Sequence, residues 1–266
     1  MTTRVITITS GKGGVGKTTV TANLATALAK LGKKTVAIDA DIGLRNLDVV
    51  MGLENRIVYD LVDVVEGRCR VKQAMIRDKR VENLFLIPAA QTRDKMSVTP
   101  SDMVLICDQL REEMDYIIID SPAGIERGYR NAVAPSDTVL VVTNPEVSAV
   151  RDADRIIGML EADEKDPPKL IINRLKPAMV ARGEMLAIDD VLDILNIDLI
   201  GVVPEDDTVI VSSNRGQPLT MNGNHGGASQ AFHNIAKRLE GQNIEFMDLN
   251  QKEDFMSRMR GMFGRK

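Results

Sequence analysis

The chain has few aromatic residues and almost no cysteine. Its 266 residues include no Trp, three Tyr, five Phe and two Cys. A core without aromatic bulk must be built from Val, Ile, Leu, Ala and Met, which suits the buried strands of a parallel sheet. Cys69 and Cys107 lie 38 positions apart without CxxC spacing, which argues against a disulfide framework or a zinc site. We interpret both as ordinary thiols.

Long hydrophobic runs are also missing. No stretch of about 18 apolar residues is present, and the first ten residues are too short and too polar for a secretory signal. We therefore expect a cytosolic protein. The length allows one large α/β domain or two small ones, and we favour one, over residues 1–241, because no stretch within it reads as a domain linker.

The charge is unevenly distributed. A net charge of −4 argues weakly against a dedicated nucleic-acid binder, which needs a strongly basic face. Residues 255–266 carry four basic residues and no acid, so the rest of the chain carries −8. We expect this basic end to be a separate functional segment, joined to the globular domain by a flexible linker, or tether, over residues 242–254.

Short apolar runs alternate with helical patterns along the chain. The expected strands lie near 5–8, 34–39, 84–88, 116–120, 138–143, 170–173 and 199–203. The expected helices lie near 19–31, 59–66, 103–114, 147–161, 188–195 and 228–239. This alternation predicts an α/β fold with a doubly wound, mainly parallel sheet flanked by helices.

A glycine-rich loop follows the first expected strand. Gly11, Gly16, Lys17 and Thr18 fit the P-loop spacing, in which backbone N–H groups cradle phosphates, the lysine reaches the terminal phosphates and the hydroxyl ligates Mg²⁺. The strand before it and the helix behind it are the required context. Lys12 is one lysine more than this loop needs.

Polar residues end several of the other strands. Asp120 ends an apolar run, as in the Walker B arrangement that holds Mg²⁺ directly or through water. Asp39 and Asp41 leave the second strand and could position a water or hold the water shell of the ion, although a plain polar loop is the simpler alternative. Because ligands of parallel sheets bind at the carboxyl ends of strands, we expect these groups and Asn173 to converge. Residues 121–124 are a candidate switch loop.

The basic end also carries an apolar stripe. On a helix, five apolar side chains fall within about 120° of arc with basic residues at the flanks, which is typical of a helix lying in a membrane interface. The stripe consists of Phe255, Met256, Met259, Met262 and Phe263, and its flanks include Arg258, Arg260 and Arg265. The alternatives are a helix docked on its own globule and a dimerisation stripe.

The loop resembles the deviant Walker A motif of the ParA/MinD family of P-loop ATPases, over Lys12-Gly13-Gly14-Val15-Gly16-Lys17-Thr18. Further matching blocks lie at 41–48, 120–126, 143–148, 151–152 and 203–206. Together they span positions 10 to about 215 and point to the branch that regulates the site of cell division.

The resemblance implies an ATP-dependent sandwich dimer in which Lys12 crosses to the nucleotide of the partner. It assigns Mg²⁺ to Thr18, with Asp39 and Asp120 supporting the water shell, and it makes Lys12, Lys17 and Asp41 catalytic, Asp41 orienting the attacking water. It also implies that Asn173 and the main chain of residues 204–206 recognise adenine. The implied ATP site comprises Gly11, Lys12, Gly13, Gly14, Val15, Gly16, Lys17, Thr18, Thr19, Asn173, Pro204, Glu205 and Asp206.

The same resemblance implies partners. A MinC-like division inhibitor and a MinE-like activator are expected to dock near the dimer seam, and Arg151 and Asp152 are the candidate contacts, with a merely solvated charged face as the alternative. ATP-driven dimers would hold an anionic membrane with two tails, peripherally on the cytoplasmic face of the inner membrane.

Three other functions are compatible with parts of the sequence. A ParA-like ATPase would segregate DNA by coating the nucleoid, which the acidic balance outside the tail disfavours. An iron–sulfur ATP-dependent reductase would need Cys69 and Cys107 in cluster-binding loops, whereas both fall in helix-like regions. A nucleotide-gated scaffold overlaps with the ATPase switch.

Overall fold

The computed structural model describes residues 2–125, 127–222 and 227–249. Eight strands in these ranges form one sheet. They are β1 (Arg4–Thr9), β2 (Thr35–Asp39), β3 (Ile76–Arg77), β4 (Leu84–Ile87), β5 (Tyr116–Asp120), β6 (Thr138–Thr143), β7 (Lys169–Leu175) and β8 (Asp198–Pro204). The order across the sheet is β3-β4-β2-β5-β1-β6-β7-β8, and every neighbouring pair is parallel except β3 and β4. The predicted doubly wound, mainly parallel sheet is confirmed.

Helices cover both faces of the sheet. They are α1 (Lys17–Lys30), α2 (Leu47–Met51), α3 (Leu61–Val65), α4 (Val71–Ala74), α5 (Pro100–Arg111), α6 (Arg127–Val133), α7 (Val147–Ala162), α8 (Pro177–Ala181), α9 (Ile188–Leu195), α10 (Asp207–Asn214) and α11 (Gly227–Leu239). Short 3₁₀ turns lie at Glu54–Arg56, Lys95–Ser97 and Leu219–Asn222.

The strands consist mostly of apolar runs because both faces of the sheet are covered. All five residues of β2 and of β5 are buried. Side chains alternate between faces along a strand, so Ile6 and Ile8 pack with the helices α1 and α11, whereas Val5 packs with α5 on the other side. Burial on both sides explains why these runs show no polar alternation.

Helix ends follow their capping residues. Helix α5 begins three residues before the apolar pattern suggested, because Thr99 and Asp102 form a capping box around Pro100. Helix α3 begins at Leu61, since the carboxylate of Asp60 accepts the N–H groups of Val62 and Asp63.

None of the described helices is both long enough and apolar enough to cross a lipid bilayer. The chain stays in contact with the domain after α11, since Met247 and Leu249 pack against apolar clusters of the core. The expected amphipathic segment 255–266 lies outside the described residues.

Candidate functional site

The loop between β1 and α1 has the backbone that its glycines permit. Gly14 and Gly16 adopt left-handed φ angles of +80° and +101°, a conformation that other residues rarely take. A Cβ on Gly16 would lie 2.4 Å from Nδ2 of Asn173, and one on Gly11 would lie 2.0 Å from the carbonyl oxygen of Asp152. The loop is therefore held tightly between α1, β7 and α7.

The loop opens onto the N-terminus of α1. The residue before the helix, Gly16, has no side chain to cap the first N–H groups, which leaves those donors for an anion. Lys17 is buried and its Nζ donates to Oγ of Ser10 at 2.9 Å. Burial lowers the pKa of Lys17, while the charges of Asp120 and Asp41 oppose that shift. A phosphate here would meet a desolvated cation and oriented N–H donors.

Two carboxylates face each other beside this loop. Asp39 and Asp120 are register partners at the ends of β2 and β5, and both are almost fully buried. Burial raises the pKa of both side chains, and the negative charge of Asp39 raises that of Asp120 further. Two such groups are costly to ionise together unless a cation compensates them.

The pair fits a divalent cation held mostly through water. Thr18 and Thr21 both donate hydroxyl hydrogen bonds to Asp120, which places the P-loop hydroxyl next to the carboxylate. Within the described ranges no three His, Cys, Asp or Glu side chains are grouped so that they could hold a metal alone. A Mg²⁺ ion here would therefore take further ligands from phosphate oxygens and water, as that ion prefers.

Asp39 also organises the loop that follows it. Its carboxylate accepts the N–H of Asp41 at 3.0 Å and those of Asn46 and Leu47 at 3.1 Å each. These bonds fold residues 40–47 back over the end of β2. Asp41 is thereby brought near enough for its charge to act on Lys17.

A separate cavity of about 120 Å³ lies on the other side of the loop. It gathers residues that the sequence analysis assigned to the base, namely Asn173, Pro204, Glu205 and Asp206, together with Gly16 and Thr19. Asn173 donates its amide to the carbonyl of Val15 at 2.7 Å, so it links this cavity to the phosphate loop. The Asp206 carboxylate accepts the N–H of Thr208 and caps α10.

Part of the cavity wall consists of residues that no sequence motif indicated. Arg174, Val209, Ile210 and Phe232 also line it. Arg174 sits at a bulge in β7 with a φ of +58°, and its guanidinium lies 3.9 Å from the carboxylate of Glu205. The sequence carries only a weak sign of this position, because the Arg174 side chain reaches the cavity through a left-handed backbone conformation at the residue after Asn173.

Lys12 points away from the loop of its own chain. Its Nζ donates to Oγ of Ser148 at 3.0 Å and lies 3.5 Å from the carboxylate of Glu146, both at the start of α7. The Lys12 side chain is 40 % exposed. The structure thus places Lys17 in the interior of the cleft and Lys12 on its outer rim.

The proposed docking residues lie next to the same loop. Arg151 and Asp152 are on α7, and the backbone of Asp152 touches Gly11. Arg155 lies 3.5 Å from Asp152 and is exposed. The membrane residues Phe255, Met256, Arg258, Met259, Met262 and Phe263 lie outside the described part of the chain.

Both cysteines lie away from the cleft. They pack in the apolar cluster between α5 and the β2 side of the sheet, Cys107 in its interior and Cys69 at its edge. Burial raises the pKa of the Cys107 thiol to about 12. A buried neutral thiol is a poor metal ligand, which speaks against the iron–sulfur interpretation.

The fold and the loop define a P-loop nucleotide-binding protein. Residues 6–219 match the family model of the CobQ/CobB/MinD/ParA nucleotide binding domain.

Relatives place the chain more narrowly. It is 54 % identical over 262 residues to the septum site-determining protein MinD of Bacillus subtilis, with 97 % of both chains covered. It is 55 % identical over 245 residues to MinD of Synechocystis, with 92 % of both covered. The chain belongs to the MinD family of septum site-determining proteins.

Solved structures of MinD proteins resemble this chain as well. The MinC:MinD cell division protein complex of Aquifex aeolicus matches with a TM-score of 0.85 and 50 % identity, over 92 % of this chain and 98 % of that one. MinD of Pyrococcus horikoshii complexed with Mg-ADP matches with a TM-score of 0.81 and 30 % identity, over 90 % and 96 %.

Proposed function

We propose that the chain is an ATP-hydrolysing switch that regulates placement of the division septum, dimerising on ATP and then holding a membrane surface. The observation that carries this proposal is one cleft combining the glycine loop, buried Lys17 and the opposed carboxylates Asp39 and Asp120. A base-sized cavity adjoins the cleft. Sequence relatives named for septum-site determination supply the cellular role.

Each residue has a physical task in this proposal. The N–H groups of residues 11–19 bind the phosphates, and Lys17 neutralises the terminal ones. Thr18 ligates Mg²⁺, while Asp39 and Asp120 hold its water shell. The ion supplies charge neutralisation on the phosphate oxygens. Asp41 orients the attacking water, and Asn173 with the main chain of 204–206 binds adenine. The relative solved with Mg-ADP supports this choice of ion and nucleotide.

Lys12 acts across the dimer seam in this proposal. Its exposed position on the rim supports a role as a point charge on the nucleotide of a second subunit. Light scattering with ATP and Mg²⁺ tests it. We expect Lys12→Ala to stay monomeric while it still binds ATP, and Leu105→Ala, on the exposed side of α5, to dimerise normally. ATP-induced dimers of Lys12→Ala would refute the in-trans role.

The membrane half rests on residues 255–266, joined to the ATPase unit 1–241 through 242–254. Two tails on one dimer multiply avidity by about 10² to 10⁴ without new contacts, so ATP controls residence on the cytoplasmic face of the inner membrane. Deleting 255–266 should abolish sedimentation with anionic vesicles and spare ATP binding. Unchanged sedimentation would refute this half.

A relative solved with a bound partner suggests partners for this chain. MinD of Aquifex aeolicus was solved in complex with MinC, and we propose that this chain also recruits a MinC-like inhibitor and responds to a MinE-like activator. Arg151 and Asp152 are the proposed contacts because α7 touches the phosphate loop at Gly11. If alanine at both positions leaves activator-stimulated hydrolysis intact, this contact is wrong.

No nucleic acid is part of the proposal. The residues outside the tail carry −8, which disfavours a DNA-coating dimer. A gel shift with nonspecific DNA at low salt should show no ATP-dependent complex. Such a complex would favour the ParA-like alternative.

A further inference from the structure

The last described residues run along the open edge of the sheet at β8. Arg238 on α11 directs them: Nη1 donates to the carbonyl of Ile200 at 2.9 Å, Nε to Ile244 at 3.0 Å and Nη2 to Glu245 at 2.9 Å. The ring of Phe246 lies 4.1 Å from the guanidinium carbon, a favourable cation–π contact. The chain therefore leaves α11 in a fixed direction.

This path ends at an apolar groove. A cavity of about 340 Å³ lies between the end of β7, the short helix α8 and the start of α9. We call it the α8–α9 groove, and its apolar lining includes Leu175, Pro177, Val180, Ile188, Met247 and Leu249. Helix α8 has no buried residue of its own. Met247 and Leu249, close to the end of the last described range, form part of this lining.

The segment that follows suits this groove in position and length. Seventeen residues come after Leu249, and Phe255 is six positions on. Residues 250–254 can span about 17 Å when extended, so the apolar stripe starts within reach of Val180 and Ile188. No long loop would have to close for the stripe to reach the groove.

The charges also match. Asp189 and Asp248 line the groove, and Asp190 and Asp193 lie nearby on α9. Residues 255–266 carry four basic side chains and no acid. An apolar stripe with basic flanks is thus complementary to an apolar groove with an acidic rim.

We infer that residues 255–263 occupy the α8–α9 groove of their own chain when no membrane is present. The stripe cannot lie in the groove and in lipid at once, so docking lowers the lipid affinity of a single subunit in proportion to the docked fraction. The inference rests on the proposed function only in naming lipid as the competitor.

The absence of tryptophan makes the test direct. Phe263→Trp in the full-length chain places a single indole on the stripe. With ADP and no lipid, we expect blue-shifted emission and weak quenching by acrylamide. Adding Val180→Lys, which puts a charge in the groove, should shift the emission to the red and raise the quenching constant about three-fold.

Two further variants keep the test decisive. Asp189→Lys changes only an exposed rim residue and should shift the emission in the same direction even if Val180→Lys misfolds. Leu105→Lys places the same charge on an exposed position of α5 and should change nothing. Thermal melting by circular dichroism checks that each variant is folded.

The outcomes separate docking from membrane binding. Identical emission in the Phe263→Trp chain with and without the groove substitutions would overturn the inference. A blue shift that appears only at high protein concentration would also overturn it, because the groove would then hold the tail of a second copy. We expect Val180→Lys to bind anionic vesicles several-fold better with ADP. If docking is seen but no variant ever binds vesicles, the membrane proposal fails and the docking stands.

Discussion

The Nζ atom of Lys12 lies 3.0 Å from Oγ of Ser148, so α7 of the same chain holds the lysine that the phosphate loop does not need. Glu146 adds an ion pair at 3.5 Å. If Lys12 acts on a second subunit, these contacts must break first. In that case the free energy of these two contacts is part of the free-energy difference between monomer and dimer.

Weakening this hold should favour the dimer. Both side chains of the Lys12–Glu146 pair are well exposed, and exposed pairs contribute about 0.2 to 1 kcal/mol. Glu146→Gln should therefore lower the protein concentration for half-maximal ATP-induced dimerisation about two-fold, as measured by light scattering. Glu184→Gln removes a comparable exposed pair with Arg182 and should have no effect. Weaker dimerisation of Glu146→Gln would mean that Glu146 is needed in the dimer itself.

Neutralising one opposed carboxylate should stabilise the nucleotide-free protein. Burial raises the pKa of Asp120, so the native state binds more protons than the unfolded chain, and stability falls as the pH rises from about 4 to neutrality. Asp120→Asn removes that loss, and we expect a gain of about 1 to 3 kcal/mol at pH 7 that shrinks toward pH 4. Denaturant unfolding at both pH values measures it.

The same variant should lose function. Without the Asp120 charge, Mg²⁺-dependent ATP hydrolysis should fall at least ten-fold, and Mg-ATP should stabilise the variant less than the parent chain. A variant that is less stable than the parent at neutral pH would contradict the repulsion between Asp39 and Asp120.

The contact between Gly11 and α7 can be tested with two alanines. A Cβ on Gly11 would collide with the carbonyl of Asp152, so Gly11→Ala should cost about 1 to 3 kcal/mol and weaken ATP binding. Gly158 is on the exposed side of the same helix with nothing within 4 Å, and Gly158→Ala should stabilise by about 0.5 to 1 kcal/mol. Urea unfolding and nucleotide titration give both quantities. Equal stability of the two variants would refute the close approach.

The end of α5 is fastened to the start of the sheet through Arg111. Its Nη1 and Nη2 donate to the two carboxylate oxygens of Asp137 at 2.9 and 2.8 Å, and the Asp137 carboxylate also accepts the N–H of Val5. Both charged groups are about a third or more exposed. Arg111→Ala should therefore cost only about 1 kcal/mol, whereas Arg155→Ala should stay within about 0.5 kcal/mol.

This pair also predicts a pH dependence. Burial alone would raise the pKa of Asp137, but the hydrogen bonds from Arg111 outweigh it and lower the pKa. The stabilisation is thus present above the ordinary aspartate pKa and is lost as the pH falls below about 4. The difference between Arg111→Ala and the parent should vanish in acid. If the difference in unfolding free energy between Arg111→Ala and the parent chain stays constant down to pH 3, the destabilisation comes from lost packing and not from the ion pair.

The sheet and the position of the cleft could be predicted because most of the buried strands are short and nearly continuous apolar runs. A polar residue at the carboxyl end of such a run, as at Asp39, Asp120 and Asn173, falls at one edge of a parallel sheet by geometry alone. Short elements such as β3 and α8 were missed, since two to five residues carry no readable period.

Side-chain contacts between residues far apart in the chain could not be predicted from sequence patterns. The left-handed turn at Arg174, which carries its guanidinium to Glu205, depends on a bulge between β7 and β8. The guanidinium contacts of Arg238 that bind residues 244 and 245 depend on how α11 packs beside the sheet edge. Such contacts follow from tertiary packing, which local patterns do not encode.

The three N–H groups accepted by the Asp39 carboxylate have a mechanical consequence. That carboxylate lies beside its register partner Asp120 and also holds residues 41, 46 and 47 by their N–H groups. Leu44, within the fixed segment, is 59 % exposed. A rotation of the Asp39 side chain would break these three hydrogen bonds, so the shape of the outer surface at Leu44 depends on how that buried carboxylate is oriented.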